Sequence, residues 1–193
     1  MTIGSACSYD FREHRVIVSH EVGSYFCHGP SIQNDLINII SRFRIHKYVI
    51  SADIEKMYRQ IWIADKDRDL QRILWRANPE DEVKEFRLKT VTYGTTPASY
   101  LATACLKKLA DDSKPQFPNA SIAVATDFYM DDYLGGAQTI DEAVKLNNEI
   151  VSITNAAGFR LRKRVSNDNR LLSGIPNEVN DPYLTWMAAP SKH

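Results

Sequence analysis

The chain has 193 residues, 44% hydrophobic and 25% charged, with 24 basic and 24 acidic side chains. This composition fits one globular domain, alone or with a small appendage, and excludes a strongly basic nucleic-acid-binding protein, so any nucleic-acid contact must come from local patches. The three cysteines lie far apart, which argues against a disulfide framework or a zinc ribbon and predicts an intracellular protein. Without an apolar run of about 18 residues or a signal-peptide pattern, no membrane association is expected.

The first third of the chain predicts few elements. Residues 15–18 predict a strand, and the rest of residues 1–29 reads as loop. Ser31 is predicted to cap a helix whose apolar side chains recur at helical spacing as far as Phe43. Residues 47–53 then predict a buried strand.

The remaining elements follow in a regular order. The predictions are a polar turn at 65–69, hairpin strands at 71–76 and 83–91, a helix from Pro97 to about 109, a strand at 122–129, a return strand at 133–135, a helix at 140–157 ended by Gly158, and a strand at 159–165. From residue 47 this is the split βαβ, ferredoxin-like order. We therefore expect an α+β fold, an antiparallel sheet with helices on one face.

Three carboxylates carry the chemical signal. Asp53 ends the first core strand, and Asp131-Asp132 stand at the tip of the predicted hairpin, before the turn-prone Gly135-Gly136. Adjacent like charges raise one another's pKa unless a cation shares the site, and carboxylates suit Mg²⁺ or Mn²⁺. Taken singly, each Asp reads as a helix cap or a turn residue. Together at the ends of adjacent strands, the three predict a site for two-metal phosphoryl transfer.

Other residues fit a nucleotide site around those carboxylates. Tyr58, five residues after Asp53, can pack under a bound ribose and exclude a 2′-hydroxyl, although a core aromatic is the simpler interpretation. Gly94, before a helix of small residues, lets backbone approach a ligand. Two basic clusters could neutralise phosphates or could be solvated edges, namely Arg42, Arg44 and Lys47, and Arg160, Arg162, Lys163, Arg164 and Arg170.

These segments resemble the palm motifs of reverse transcriptases in order and spacing over about residues 11–176. The matching segments are Asp53-Ile54-Glu55-Lys56-Met57-Tyr58, Tyr93-Gly94-Thr95-Thr96-Pro97, Tyr129-Met130-Asp131-Asp132 and Gly158-Phe159-Arg160-Leu161-Arg162-Lys163. The segments Gly29–Leu36 and Arg42-Phe43-Arg44 resemble those that precede the first catalytic motif in the BEL/Pao class of long-terminal-repeat retrotransposons.

The resemblance implies a polymerase palm with partial fingers that performs RNA-directed DNA synthesis. Asp53, Asp131 and Asp132 would be catalytic and would hold two Mg²⁺ or Mn²⁺ ions, with the Ile54 backbone beside them. Five residues would contact the deoxynucleoside triphosphate: Arg15, Tyr58 as sugar gate, Gly94, Met130 and Lys163. Four would contact the RNA or DNA template-primer: Tyr129, Arg160, Arg162 and Arg164.

The implied layout is partial fingers at 1–46, a palm at 47–176 with a fingers insert at about 59–92, and a tail at 177–193. The sequence departs from the family at Ser19, where Asp is usual, at residues 23–27, where Ser-Leu-Asn is usual, and at Arg164, where Trp is usual. Nothing after Pro176 resembles a primer grip.

Two alternatives stay open. One is an inactive or co-opted palm relic that binds nucleic acid or a partner protein, which the missing primer grip and balanced charge favour. The other is a two-metal nuclease, which would leave Tyr58 and Gly94 without a role. The family implies a cytoplasmic protein inside virus-like particles.

Overall fold

The computed structural model describes residues 5–10, 15–20 and 30–172. The strands are β1 (Ser5–Asp10), β2 (Arg15–His20), β3 (Tyr48–Ile54), β4 (Ile61–Ile63), β5 (Arg72–Trp75), β6 (Lys84–Arg87), β7 (Phe128–Tyr129), β8 (Asp132–Ala137) and β9 (Leu161–Ser166). The α-helices are α1 (Leu36–Ile45), α2 (Met57–Gln60), α3 (Ala98–Ser113), α4 (Pro118–Thr126) and α5 (Ile140–Ala156). The predicted α+β class is confirmed.

The chain divides into two compact units. The first takes the described residues up to 32 together with 56–105, and the second takes 33–55 together with the described residues from 106 onward. The first unit contains a β1–β2–β4 sheet and the β5–β6 hairpin. In that sheet, β1 and β2 are antiparallel, whereas β2 and β4 are parallel.

The second unit is built on a four-stranded antiparallel sheet in the order β7–β8–β3–β9. The split βαβ order predicts that the first core strand can lie beside the strand that enters the Asp-Asp hairpin. Instead β8, the strand that leaves the hairpin, pairs with β3, and β7 stands at the edge. Helix α5 contacts β3, β8 and β9, and α1 contacts β7 and β8.

Two close approaches explain the glycines of β8. A Cβ on Gly136 would lie 2.2 Å from the Tyr48 carbonyl oxygen, and a Cβ on Gly135 would lie 2.1 Å from the Tyr133 hydroxyl oxygen. The interpretation of Gly135-Gly136 as a turn is therefore wrong, because both residues pair with β3 inside β8. Their missing side chains make room for the neighbouring strand and for the buried Tyr133 ring.

Three expected elements differ. Most of the predicted strand at 122–129 instead belongs to α4, and Pro118 is the first residue of that helix. A short apolar run suits a buried helix as well as a strand, and its alanines favour the helix. Residues 5–10, read as loop, form β1. Helix α1 has Asp35 at its N-cap rather than Ser31.

Helix α5 begins and ends as the sequence predicts. Thr139 and Glu142 form a reciprocal capping box, which satisfies two backbone N–H groups of the first turn. Gly158 has φ of +77°, the left-handed conformation in which helices often end. Helix α5 connects β8 to β9 and contacts β3, β8 and β9. The capping box and Gly158 therefore set where this connection begins and ends. Among the described helices, none is long and apolar enough to cross a membrane.

Candidate functional site

The ends of β3 and β8 bring the predicted carboxylates to one place. Asp53 is the register partner of Asp132, and opposite residues of an antiparallel pair share one face of the sheet. The Ile54 backbone N–H donates to the Asp131 carbonyl oxygen at 2.8 Å. The backbone thus places all three carboxylate residues at the same strand ends, and the neighbouring Ile54 side chain is fully buried.

The hairpin that carries Asp131 has a two-residue turn. Tyr129 pairs with Asp132, so Met130 and Asp131 form the loop. Met130 has φ of +55°, whereas Asp131 does not have a positive φ. A positive φ at the first loop position alone is the pattern of a type II′ turn, which ordinarily takes Gly there. Met130 therefore holds a strained backbone, a feature that clusters at functional sites.

The charges at the strand ends perturb one another. Although Asp132 is exposed, partial desolvation raises the pKa of its carboxyl, and the carboxylates of Asp131 and Asp53 raise it further. The Lys163 ammonium acts in the opposite direction. The site therefore concentrates negative charge that one lysine only partly offsets, which is an environment that attracts a cation.

Lys163 reaches this site through an irregularity in β9. Between Ser51 and Asp53 of β3 the register shifts, so that two residues of β9, Lys163 and Arg164, stand opposite one of β3. Lys163 has φ of +50° at this bulge, and its Nζ lies 3.6 Å from Asp53 Oδ2. Bulges commonly redirect a side chain, and here the lysine pairs with the predicted metal ligand.

A second ion pair flanks the site. Arg162 Nη1 donates to Glu55 Oε1 at 2.9 Å, and the Glu55 backbone N–H donates to the Arg160 carbonyl oxygen, also at 2.9 Å. Glu55 belongs to the motif that begins at Asp53, but no local pattern in the sequence indicates that it pairs with Arg162. Only tertiary pairing between β3 and β9 brings the two residues together.

The donor set suits a hard divalent cation, but the side chains do not form a closed cage. Within the described residues, no group of three or more His, Cys, Asp or Glu side chains is arranged to hold a metal ion. Asp53 is paired with Lys163, and Asp131 and Asp132 stand nearby at the turn. The residues therefore fit Mg²⁺ or Mn²⁺ by chemistry and by backbone placement, and ligation requires their side chains to turn toward a shared ion.

Three predicted nucleotide-binding residues lie in the other unit. Tyr58 is half-buried in α2. Gly94 is exposed with φ of +82°, and among the described residues no atom outside its own chain neighbours lies within 4 Å of the place that a Cβ would take. Arg15 begins β2, and its side chain lies outside the described residues. Their roles stay predictions.

Half of the residues in the predicted basic clusters pair with acids. Arg42 pairs with Asp127 at 3.1 Å and Arg170 with Asp168 at 2.6 Å, in addition to the pairs of Arg162 and Lys163. Arg164 is half-buried and also has an interaction partner. Arg160, Arg44 and Lys47 are exposed. Contact of Tyr129, Arg160, Arg162 and Arg164 with nucleic acid therefore stays a prediction.

The sheet order and the carboxylate hairpin define a polymerase palm with part of the fingers. The sequence matches the family model of the reverse transcriptase (RNA-dependent DNA polymerase) over residues 3–164. Since this match spans most of the chain, the chain belongs to the reverse transcriptase family, which consists of RNA-directed DNA polymerases and hence nucleotidyltransferases. A search of curated proteins found no significant match.

Two solved structures of foamy viral protease-reverse transcriptase share the fold. One, in complex with an RNA/DNA hybrid, has a TM-score of 0.54 and 17% identity, and the match covers 70% of this chain and 17% of that chain. The other, in complex with double-stranded DNA, has a TM-score of 0.54 and 18% identity over 70% of this chain and 21% of that chain. This chain therefore spans about a fifth of the length of the solved relatives.

Proposed function

We propose that this chain is the catalytic palm of a retrotransposon reverse transcriptase that adds deoxynucleotides to a primer 3′-hydroxyl by a two-metal mechanism. The observation that carries the proposal is that Asp53 and Asp132 are register partners on β3 and β8. The Ile54 backbone N–H also donates a hydrogen bond to the Asp131 carbonyl oxygen. Carboxylates at adjacent strand ends are the ligands that two-metal phosphoryl transfer requires.

Each residue of the site has a place in this proposal. Asp53 and Asp131 would be the main ligands of two Mg²⁺ or Mn²⁺ ions, with Asp132 in support. When bound, the ions would stabilise the attacking and leaving oxygens of the displacement. Lys163 would turn from Asp53 toward the phosphates of the nucleotide, and the Met130 backbone would border the nucleotide.

The resemblance to the BEL/Pao class supports the finer assignment. We infer an RNA or DNA template-primer as partner, in keeping with the foamy viral structures that contain an RNA/DNA hybrid or double-stranded DNA. Deoxynucleoside triphosphates would be the substrates, and Arg15 and Gly94 would contact them. The protein would act in cytoplasmic virus-like particles.

Binding of Mn²⁺ to the purified chain, followed by electron paramagnetic resonance, tests the metal site directly. We expect Asp53→Asn to weaken Mn²⁺ binding by at least about tenfold, because a main ligand is lost. Asp141→Asn, an exposed position on α5, is the matched control and should bind like the wild type. Equal affinity in all three proteins would refute the proposal.

Tyr58 is proposed as the sugar gate. If so, Tyr58→Ala should increase incorporation of ribonucleotides relative to deoxynucleotides in a primer-extension assay run in Mg²⁺. The wild-type ratio measured in parallel is the reference. An unchanged ratio would leave Tyr58 as an aromatic residue that only packs.

The ion pair between Lys163 and Asp53 favours one alternative, a palm relic that binds nucleic acid or a partner protein without catalysis. In such a protein the lysine would permanently neutralise Asp53. Salt-sensitive binding of a template-primer without any Mn²⁺ binding would support this alternative.

A further inference from the structure

Three side chains from the segment 33–42 bind the chain just before and within the Met130 turn. Gln33 Oε1 accepts a hydrogen bond from the Met130 backbone N–H at 3.1 Å. Asn34 Nδ2 donates to the Thr126 carbonyl oxygen at 3.3 Å, and Arg42 donates to the same carbonyl oxygen. Arg42 also pairs with the carboxylate of Asp127. We call Gln33, Asn34 and Arg42 the clamp.

The Gln33 side chain binds the Met130 backbone N–H, which the β7–β8 strand pairing leaves without a partner. Met130 occupies the first loop position of a two-residue turn, so its N–H lies outside the β7–β8 ladder. A backbone N–H that loses water without gaining a partner destabilises its local structure. Met130 also holds φ of +55°, which a non-glycine residue keeps only when its surroundings fix it.

The direction of this bond is chemically determined. An N–H can only donate, so the atom of Gln33 that faces it must be the carbonyl oxygen of the amide. The contact is partly buried and joins residues 97 positions apart, so it depends on the folded second unit rather than on local sequence.

We propose that Gln33 is a positioning residue, which fixes the Met130 turn and thereby the directions of the Asp131 and Asp132 carboxylates. This inference rests on the proposed function, since it assigns Gln33 a purpose in metal binding. Within the clamp, Asn34 and Arg42 fix the chain entering the hairpin, and Gln33 fixes the turn itself.

Three variants separate this role from general support of the fold. Gln33→Met keeps the length of the side chain and removes the acceptor, whereas Gln33→Glu keeps an acceptor at the same place. Gln138→Met is the matched control, because Gln138 donates to the Ile45 carbonyl oxygen at 2.9 Å beyond the other end of β8. The control also loses one side-chain-to-backbone hydrogen bond, but away from the hairpin.

Hydrogen exchange of the Met130 amide, measured by nuclear magnetic resonance without metal, tests directly whether the Gln33 hydrogen bond protects this N–H. We expect protection in the wild type, in Gln33→Glu and in Gln138→Met, and exchange roughly tenfold faster in Gln33→Met, the size expected for one lost hydrogen bond. A wild-type Met130 amide that exchanges as fast as an unstructured peptide would overturn the inference without any variant.

Mn²⁺ affinity tests whether loss of the Gln33 contact changes the orientation of the Asp131 and Asp132 carboxylates. Gln33→Met should bind Mn²⁺ roughly three- to tenfold more weakly than the wild type, and Gln138→Met should not differ. Wild-type affinity in Gln33→Met would overturn the inference while leaving the proposed function intact. Mn²⁺ binding that does not depend on Asp53 would instead overturn the proposed function and the metal-positioning role with it.

Discussion

Left-handed backbone conformations mark the site at the scale of single residues. Within the described ranges, the residues other than glycine with positive φ are Lys56, Met130 and Lys163. Met130 directly precedes Asp131, Lys163 pairs with Asp53, and Lys56 follows Asp53 by three positions. Each such conformation costs on the order of 1–3 kcal/mol. This strain is therefore concentrated beside the carboxylates that the sequence predicts to be catalytic.

Asp132 destabilises the fold when it is ionised and no metal is bound. Its pKa is raised in the folded state, mainly by desolvation and then by Asp131 and Asp53, so the folded chain holds this proton more tightly than the unfolded chain does. Folding stability therefore falls as pH rises through that pKa. We expect Asp132→Asn to raise the melting temperature of the metal-free protein at pH 7 slightly, because solvent screens the charge of this exposed side chain.

The difference between Asp132→Asn and the wild type should vanish in acid, below the pKa of an unfolded aspartate, because both side chains are then neutral. Calorimetry in a chelating buffer at several pH values measures it. A variant that is less stable than the wild type at pH 7 would show that the carboxylate instead supports the fold.

Because Lys163 pairs with Asp53, we expect it to compete with metal ions for that carboxylate. Its side chain is 65% exposed, so the pair contributes modestly and can be broken without loss of the fold. We expect Lys163→Met to bind Mn²⁺ about two- to fivefold more tightly in the absence of nucleotide. The same variant should add nucleotides more slowly if Lys163 contacts the nucleotide phosphates as proposed. Weaker Mn²⁺ binding by Lys163→Met would contradict this competition.

The sequence predicts the carboxylates, and the family resemblance implies a role for Lys163, but neither predicts the contacts that support the site. Asp53, Asp131 and Asp132 were predictable because charge at the ends of apolar strands is a local pattern. The Lys163 bulge and the Gln33 contact were not, because both depend on strand register and on packing between distant segments. The hairpin was predictable, but its tip was predicted at Asp131-Asp132, whereas the loop consists of Met130 and Asp131. The strained φ of Met130 has no sequence signal in a non-glycine residue.

At the scale of elements, the pairing of β3 with β8 decides whether the site exists. Gly136 allows the two backbones to approach, since a Cβ there would lie 2.2 Å from the Tyr48 carbonyl oxygen. We expect Gly136→Ala to lower the free energy of unfolding by about 1–3 kcal/mol, the usual cost of overpacking, as measured by urea denaturation. Mn²⁺ affinity should fall with it, because β8 carries Asp132.

A natural reference for Gly136→Ala is Ala137→Gly, which removes a methyl group at the next position of the same strand. It should cost less than Gly136→Ala, because it creates no clash. Equal stability of Gly136→Ala and the wild type would mean that β3 and β8 separate readily to accept a methyl group.

The order of most elements was predictable from periodicity, whereas β1 and β4 were not predicted and α4 was predicted as a strand. Regular spacing of apolar side chains located α5, and Pro97 marked the start of α3. The run Ile122–Ala125 is apolar on all sides and so carries no period, and α4 could not be separated from a strand. Tertiary context settled the choice.

At the scale of the whole molecule, balanced charge limits nucleic-acid binding. Many arginines of the second unit pair with acids, and Arg44, Lys47 and Arg160 are exposed side chains that could reach phosphates. We expect the purified chain to bind a template-primer weakly, with a slope of log K against log salt of about −2 to −3, because each phosphate contact contributes about −0.9. Fluorescence anisotropy across a salt series measures this slope.

Because we expect weak binding of the template-primer, the purified chain should also extend a primer poorly, since displacement of a primer end by about 1 Å can cost roughly a hundredfold in rate. A salt slope near about −6, or processive synthesis, would contradict these expectations. Either result would mean that residues other than Arg44, Lys47 and Arg160 also bind the duplex.

The central position of β3 has a consequence for how the molecule folds. Asp53 is flanked by β8 on one side and β9 on the other, and the pair of Glu55 with Arg162 joins residues 107 positions apart. Contacts of such sequence separation form slowly, because the intervening chain must first be ordered. The carboxylate cluster should accordingly form late, so that capture of a divalent ion would report that β3 and β8 have paired.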